Sequence, residues 1–334
     1  MRVLLGIAGT VVIVAGIRAT ASLLIPLILA LFLSVVSFPL VRWLQGRHVH
    51  RALAVTLTML AVLAVLVGPS ALVVTAIRQF ATAAPVYEAR LRQVVAAVLA
   101  WLSSHNVDAT YLSVLIDPGR VLNLIATTLS GVATFLSVAF LVVLIASFML
   151  FEAADVLDRP GRSLPLEIRE HLARITKELQ IWLWVKTVIS FATGVSAGLW
   201  VALLGIDFAL LWGLAAFLLN YIPTFGSLIA MIPPVLLALV QFGPTRAVIA
   251  LLGYLGINAV FGNLAEPYLT GRRIGILPLA VLLSVIVWGW MWGAAGMLLS
   301  VPITMALKIA LEHSSDELRW IAALIEGGKR ERVQ

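Results

Sequence analysis

The chemistry this chain can offer rests on a few polar residues set among helix breakers inside apolar sequence. The first group is Asn220, Tyr221, Pro223, Thr224, Gly226 and Ser227. A proline has no amide proton, so Pro223 cannot donate to the carbonyl of Leu219, and that oxygen is left free. Gly226 and Ser227 then open a new helix, whose unpaired N–H groups and positive dipole end face the break. Free carbonyls on one side and free amides on the other suit a small polar solute or a partly dehydrated monovalent cation. The competing reading is a kink whose backbone groups are satisfied by neighbouring helices.

The second group is Tyr254, Asn258, Gly262 and Glu266, spaced four residues apart and so on one helix face, with Asn263 beside them. Glu266 precedes Pro267 and therefore lies near a helix end. An ionised carboxylate at the bilayer centre costs about 2.5–3.5 kcal/mol on insertion scales. Glu266 is thus either an interface residue, latched to Arg272 or Arg273 as a gate, or a buried proton carrier. Asp207 follows Gly205-Ile206 between two apolar runs; it reads as the cap of the next helix, or else as a proton or cation site. The expected pathway comprises Asn220, Tyr221, Pro223, Thr224, Gly226, Ser227, Asn258, Asn263 and Glu266. The coupling or gating candidates are Asp207, Glu266, Arg272 and Arg273.

Catalysis finds no footing. The sequence has no H-E-x-x-H, no G-x-S-x-G and no P-loop. His48, His50, His105, His171 and His313 all fall in loops or charged helices, and none is paired with a carboxylate inside a predicted span. There is no cysteine, which excludes disulfides and thiolate metal sites. No catalytic residue, metal site or cofactor is expected.

These residues must be positioned by membrane helices. The 334 residues are 62% hydrophobic and 12% charged, with a mean hydropathy of +1.07; soluble domains are nearer 45–50% apolar. Charge-free runs over Leu53–Ile77, Gly131–Phe151, Thr187–Ile206 and Ala247–Ala265 are each long enough for the ~20 residues that a hydrocarbon layer demands. The expected fold class is all-α: a polytopic helical membrane protein of about eight transmembrane helices, a possible re-entrant broken pair and amphipathic interfacial helices. Residues 1–334 form one integral-membrane unit. The net charge of +7 reads as basic loops kept on the cytoplasmic side rather than nucleic-acid binding, because no basic patch interleaves with aromatics.

Along the chain, Met1-Arg2 and Val3–Ile17 have the look of a signal peptide, with Ala19-Thr20-Ala21 as a cleavage pattern. A second apolar run, Leu23–Val41, follows at once, so the segment reads as a retained first helix. Arg42–Arg51 is a cytoplasmic loop, and Leu53–Ile77 crosses outward with a kink at Pro69. Residues 78–130 form a non-cytoplasmic amphipathic region, with a stripe over Leu91, Val94, Val95, Val98, Leu99 and Leu102. Asp117-Pro118 opens a helix running through Phe151. Residues 152–186 form a charged cytoplasmic helical region, broken at Pro160-Gly161, holding a Glu170–Arg174 pair and ending in the interface anchors Trp182, Trp184 and Lys186. Thr187–Ile206 carries Gly194-x-x-x-Gly198, a pattern for close helix packing. Ala209–Phe242 is either one long broken span or a re-entrant hairpin turning at Pro223–Gly226. The hairpin places Arg272 and Arg273 in the cytoplasm, as the charge rule prefers. After Pro278 two apolar runs flank Gly289–Gly293, the second returning inward to a cytoplasmic tail, 313–334. Both termini are then cytoplasmic.

The blocks Phe217–Phe242, Ile257–Gly271 and Trp288–Glu312, with Arg319-Trp320-Ile321-Ala322 near the end, resemble the autoinducer-2 exporter family of bacterial membrane proteins. The family's P-x-x-G-x-x-x-x-x-x-P pattern falls on Pro223, Gly226 and Pro233. Its N…GN…EP pattern falls on Asn258, Gly262, Asn263, Glu266 and Pro267. Asp207 stands outside these blocks. The resemblance implies a multi-span permease among whose relatives some export the signalling furanone and others exchange sodium or lithium for protons. It also implies a homo-oligomer, with a pentamer expected. Three functions stay open on the residues alone. One is ATP-independent export of a small polar molecule, one is cation/proton antiport through Glu266 or Asp207, and one is a membrane scaffold using 78–130 and 152–186 as partner surfaces. The expected partners are membrane lipid and a small polar solute or monovalent cation, with no nucleic acid.

Overall fold

The computed structural model describes residues 14–68, 70–105, 118–158, 166–270 and 277–312, together with Gly9 and Val12. Its elements are α1 (Ala21–Gln45), α2 (Arg51–Val67), α3 (Ser70–Ser104), α4 (Pro118–Asp158), α5 (Leu166–Leu203), α6 (Ala209–Leu219), α7 (Phe225–Phe242) and α8 (Pro244–Asn258). A π-helical segment (Ala259–Ala265), α9 (Glu266–Thr270) and α10 (Pro278–Glu312) complete them, and no strand occurs among the described residues. Asp117, Pro160-Gly161, Arg272, Arg273 and the tail 313–334 lie outside the described residues, as does most of the expected first helix.

Five of these segments are long and apolar enough to cross a membrane: Ala21–Gln45, Ala173–Leu203, Phe225–Phe242, Pro244–Leu269 and Pro278–Ile309. Arg51–Val65, Val138–Glu152 and Ala209–Leu219 add shorter apolar helices. Leu23, Phe140, Phe148, Phe191 and Leu203 are each more than half exposed. Large apolar side chains turned outward are tolerable where lipid tails replace water, and the molecule is an all-α polytopic membrane protein.

The span expected over Leu53–Ile77 is two helices. α2 ends at Val67, and α3 takes up residues 70–77 and runs on to Ser104. Pro69, where a kink was expected, lies outside the described residues. The apolar stripe of α3 also starts earlier than its sequence suggests. Val73, Ala76, Phe80, Tyr87 and Leu91 are all buried on one face and belong to a cluster with Ile125 of α4. Arg90 and Arg92 stay exposed, and Arg92 pairs with Glu88 at 2.6 Å.

α5 is one continuous helix of 38 residues. The expected pair between Glu170 and Arg174 involves a side chain outside the described ones; Arg174 bonds Glu178 at 3.0 Å. Of the three expected interface anchors only Trp184, 69% exposed, faces outward. Trp182 and Lys186 are 6% and 4% exposed and point inward. Helical periodicity is the reason: both lie on the buried face with Leu179 and Ile189, and Trp184 on the opposite one.

Glycines set the closest approach in the fold. α5 turns at 204–208 and α6 packs back against it. A Cβ added at Gly194 would stand 2.7 Å from the carbonyl oxygen of Gly213, and one at Gly213 would stand 2.8 Å from that of Gly194. Only hydrogen fits there, as the small-residue spacing predicts.

Of the two layouts for 209–242, the structure takes the hairpin. The side chain of Gln241, at the end of α7, accepts the amide of Asp207, just before α6, at 3.2 Å. Arg246 donates to the carbonyl of Leu204 at 3.2 Å. The start of α6 and the end of α7 therefore lie together, with the turn 220–224 at the far end of both. α10 also reverses. Gly293 has φ 61 and ψ −142, and Trp288 Nε1 donates to Thr304 Oγ1 at 3.3 Å. In a straight helix those residues would lie about 24 Å apart.

Candidate functional site

The site is the tip of the α6–α7 hairpin and what surrounds it. Its backbone is more self-contained than the prolines suggest. Pro223 withholds its proton from Leu219, but the chain tightens and the Ile222 amide reaches that same oxygen at 2.8 Å. The first amides of α7 are engaged as well: Phe225 donates to Pro223 O at 2.6 Å and Gly226 to Ile222 O at 3.1 Å. The close turn requires Gly226, where an added Cβ would stand 1.8 Å from Leu219 O. Thr224 is exposed and holds φ 65, an uncommon region for a β-branched residue. The expected niche of liberated main-chain dipoles is thus largely closed by the turn itself.

Side chains supply the polarity instead. Asn220, 6% exposed, donates through Nδ2 to Ser190 Oγ on α5 at 3.0 Å. Tyr221 donates to Thr187 Oγ1 at 2.7 Å, and Thr187 donates to its own Leu183 carbonyl at 2.7 Å. The hairpin tip is therefore held to α5 by two hydrogen bonds one helical turn apart.

One turn along α5 from Ser190 stands Lys186. Its Nζ lies 2.8 Å from both carboxylate oxygens of Glu266. Glu266 was expected to latch to Arg272 or Arg273, or to be a buried proton carrier; in the structure its partner is a lysine assigned to the headgroup zone. An isolated charge at membrane depth is costly, and opposite charges brought together remove that cost. Each of these residues alone would be a liability; as a pair they are neutral.

The second polar group is rearranged too. Asn258 lies over Gly262, where an added Cβ would fall 2.6 Å from Asn258 Oδ1. Beyond Asn258 the chain is π-helical, with the Glu266 amide bonded to Phe261 O. A π turn takes more residues than an α turn, so the register of Glu266 relative to Tyr254 differs from that of a continuous α-helix. Asn263 is exposed and Ser227 half-buried. Tyr254 is buried and its hydroxyl has no protein partner.

Asp207 does not cap α6. The N-cap is Phe208, in the left-handed region with φ 64 and with no side-chain cap bond. The Asp207 carboxylate is taken by tertiary partners: Tyr87 Oη of α3 donates to Oδ2 at 2.6 Å, and the Gln241 amide of α7 donates to the same atom. Its carbonyl accepts the indole N–H of Trp212 at 3.0 Å. Tyr87 lies on α3, outside the candidate spans. Burial, and then its bond to the Asp207 carboxylate, push its phenol up to about 12, so it is a donor at any physiological pH. A cavity of about 510 Å³ opens beside this cluster, lined by Thr75, Gln79, Tyr87, Asp207 and Phe208 among others.

Two polar stations thus bracket the hairpin, with Lys186–Glu266 near its tip and Tyr87–Asp207–Gln241 at its open end. Lys186, Thr187, Ser190, Tyr87 and Gln241 were not singled out from the sequence as site residues. Lys186 and Glu266 carried a usable signal, as opposite charges at the ends of adjacent apolar runs. Ser190 and Thr187 carried none.

The helical hairpin, its paired charges and its polar side chains belong to an all-α multi-pass membrane protein. Residues 7–316 match the sequence model of the family described as AI-2E family transporter, and the chain belongs to that family. It is 37% identical over 322 residues to the AI-2 transport protein TqsA of Escherichia coli (strain K12), covering 94% of this chain and 93% of TqsA. It is 32% identical over 338 residues to YhhT of the same organism, covering 100% of this chain and 97% of YhhT.

Proposed function

We propose that this protein is an inner-membrane permease that exports a small polar molecule of the autoinducer-2 type by an ATP-independent route. The solute passes the tip of the α6–α7 hairpin. The observation that carries this reading is the pair of bonds from Asn220 and Tyr221 to Ser190 and Thr187, beside a neutralised ion pair. Uncharged donors and acceptors at the tip suit an uncharged hydroxylated solute. The name of TqsA supports the same class of cargo. The absence of a P-loop from the sequence fits a route without nucleotide hydrolysis.

In this reading the hairpin is the moving part. The Lys186–Glu266 pair holds the tip end, on the cytoplasmic side with both termini, and the Tyr87–Asp207–Gln241 cluster holds the opposite end. Opening one station at a time exposes the tip to one side at a time. Cation/proton antiport through Glu266 is less well supported, because Lys186 already supplies the counter-charge that a transported cation would provide.

The test is purified protein in liposomes, with furanone efflux, sodium flux and proton flux followed in parallel. We expect furanone efflux that falls at least about tenfold in Asn220→Ala, a loss of about 1.4 kcal/mol or more of solute interaction. Sodium-driven proton flux without furanone efflux, abolished by Glu266→Gln, would replace this reading with the antiporter.

A further inference from the structure

Three buried polar atoms along the contact between α5 and α8 have no hydrogen-bond partner: Thr193 Oγ1, Trp200 Nε1 and Tyr254 Oη. We infer that this seam holds a file of ordered water that continues from the hairpin tip toward the opposite end of the hairpin. The inference rests on the permease reading only in treating the seam as a route; the water itself can be measured without flux.

The placement follows from periodicity anchored at both ends. Lys186, Thr193 and Trp200 are spaced seven residues apart, so they share one face of α5. The first meets Glu266. The last lies on Gly253 of α8, where an added Cβ would fall 1.9 Å from Trp200 Nε1. The two segments run antiparallel between these contacts, and the stretch from Gly253 to Glu266 includes the π-helical segment Ala259–Ala265. Such π turns recur at functional sites. Tyr254 adjoins Gly253, and its ring is packed in the cluster that holds Ala197 and Val201 of α5 and Leu237 of α7.

Thr193 is the telling residue. Threonines in helices ordinarily return their proton to the carbonyl four residues back, as Thr58 does to Ala54 at 2.8 Å and Thr187 to Leu183 at 2.7 Å. Thr193, 5% exposed, does not. It shares a helix face with Lys186 and Trp200, and the other unpartnered buried atoms of α5 and α8 are the Trp200 indole N–H and the Tyr254 phenol. Buried polar groups are normally satisfied, and ordered water bonded to about three of them is the common means where protein partners are lacking. A small residue is required at 253 for the indole N–H to reach this position.

The first experiment is X-ray hydroxyl-radical labelling of the full chain in nanodiscs, in which radicals form from water molecules already beside a side chain. Tyr254 should be labelled severalfold faster than Trp212, which is also fully buried and whose indole is bonded to Asp207. The second is the melting temperature of Thr193→Val. Removing a water-bonded hydroxyl lowers it, whereas removing an unsatisfied one raises it. A Tyr254 as inert as Trp212, or a stabilised Thr193→Val, overturns the inference. If Thr193→Val does not fold, wild-type labelling decides alone. Loss of furanone efflux in Asn220→Ala bears on the proposed function and leaves these two measurements untouched.

Discussion

Lys186 and Glu266 show how a side chain acquires its role from a residue 80 positions away. Removing one partner of this half-buried pair strands the other, at a cost of about 1–3 kcal/mol, whereas replacing both by apolar residues is often neutral. Lys186→Met and Glu266→Leu should each lower the unfolding free energy in detergent by that amount, and the double variant should recover most of it. Additive losses would show that the two residues act independently. Tyr87 gives a second residue-level expectation. Its folded-state pKa is raised above the ordinary 10.0 to about 12. Its contribution is therefore fully present below about pH 10 and is lost as pH climbs to about 12. A melting curve series across that window should fall less steeply for Tyr87→Phe than for the native chain. At Thr224, a β-branched residue with φ 65 carries strain of about 1–3 kcal/mol. Thr224→Gly should raise stability, read by thermal unfolding, since the exposed side chain has little packing to lose.

Among the elements, the α5–α6 pair depends on its glycines. Gly194→Leu would drive a side chain into the Gly213 backbone and should destabilise by about 1–3 kcal/mol, where a leucine at exposed Val195 should be neutral. This packing was legible in the sequence because a small-x-x-x-small spacing is local. So was the break at Pro223–Gly226, because proline and glycine act on the backbone at their own position. The roles of Asp207 and Glu266 were not legible. Local logic made Asp207 a cap, but Tyr87 and Gln241 arrive from two distant helices and outcompete the amides of α6. Glu266 was read against the arginines that follow it, and the π turn that precedes it leaves no mark in hydrophobic periodicity.

At the scale of the whole molecule, the membrane class could be read from composition and run length, but about eight spans were expected where the described residues hold five span-length helices and three shorter apolar ones. The hairpin could not be read, since one broken span and two antiparallel half-helices bury the same residues. The geometry is directly testable because the chain has no native cysteine. A short bifunctional thiol reagent should join cysteines placed at 207 and 241, and should fail to join a pair at 207 and 221. Failure to join either pair would restore the single broken span.

The reversal at Gly293 bears on how the protein is made. Its first arm, Pro278 to Trp292, has a rise of about 22 Å, short of the ~30 Å hydrocarbon layer. No loop separates it from its companion, so nothing can lodge in the headgroups while the ribosome delivers the rest. The two arms must leave the translocon as one body, already folded against each other, and a fault at that single glycine would be felt during biogenesis before it was felt in transport.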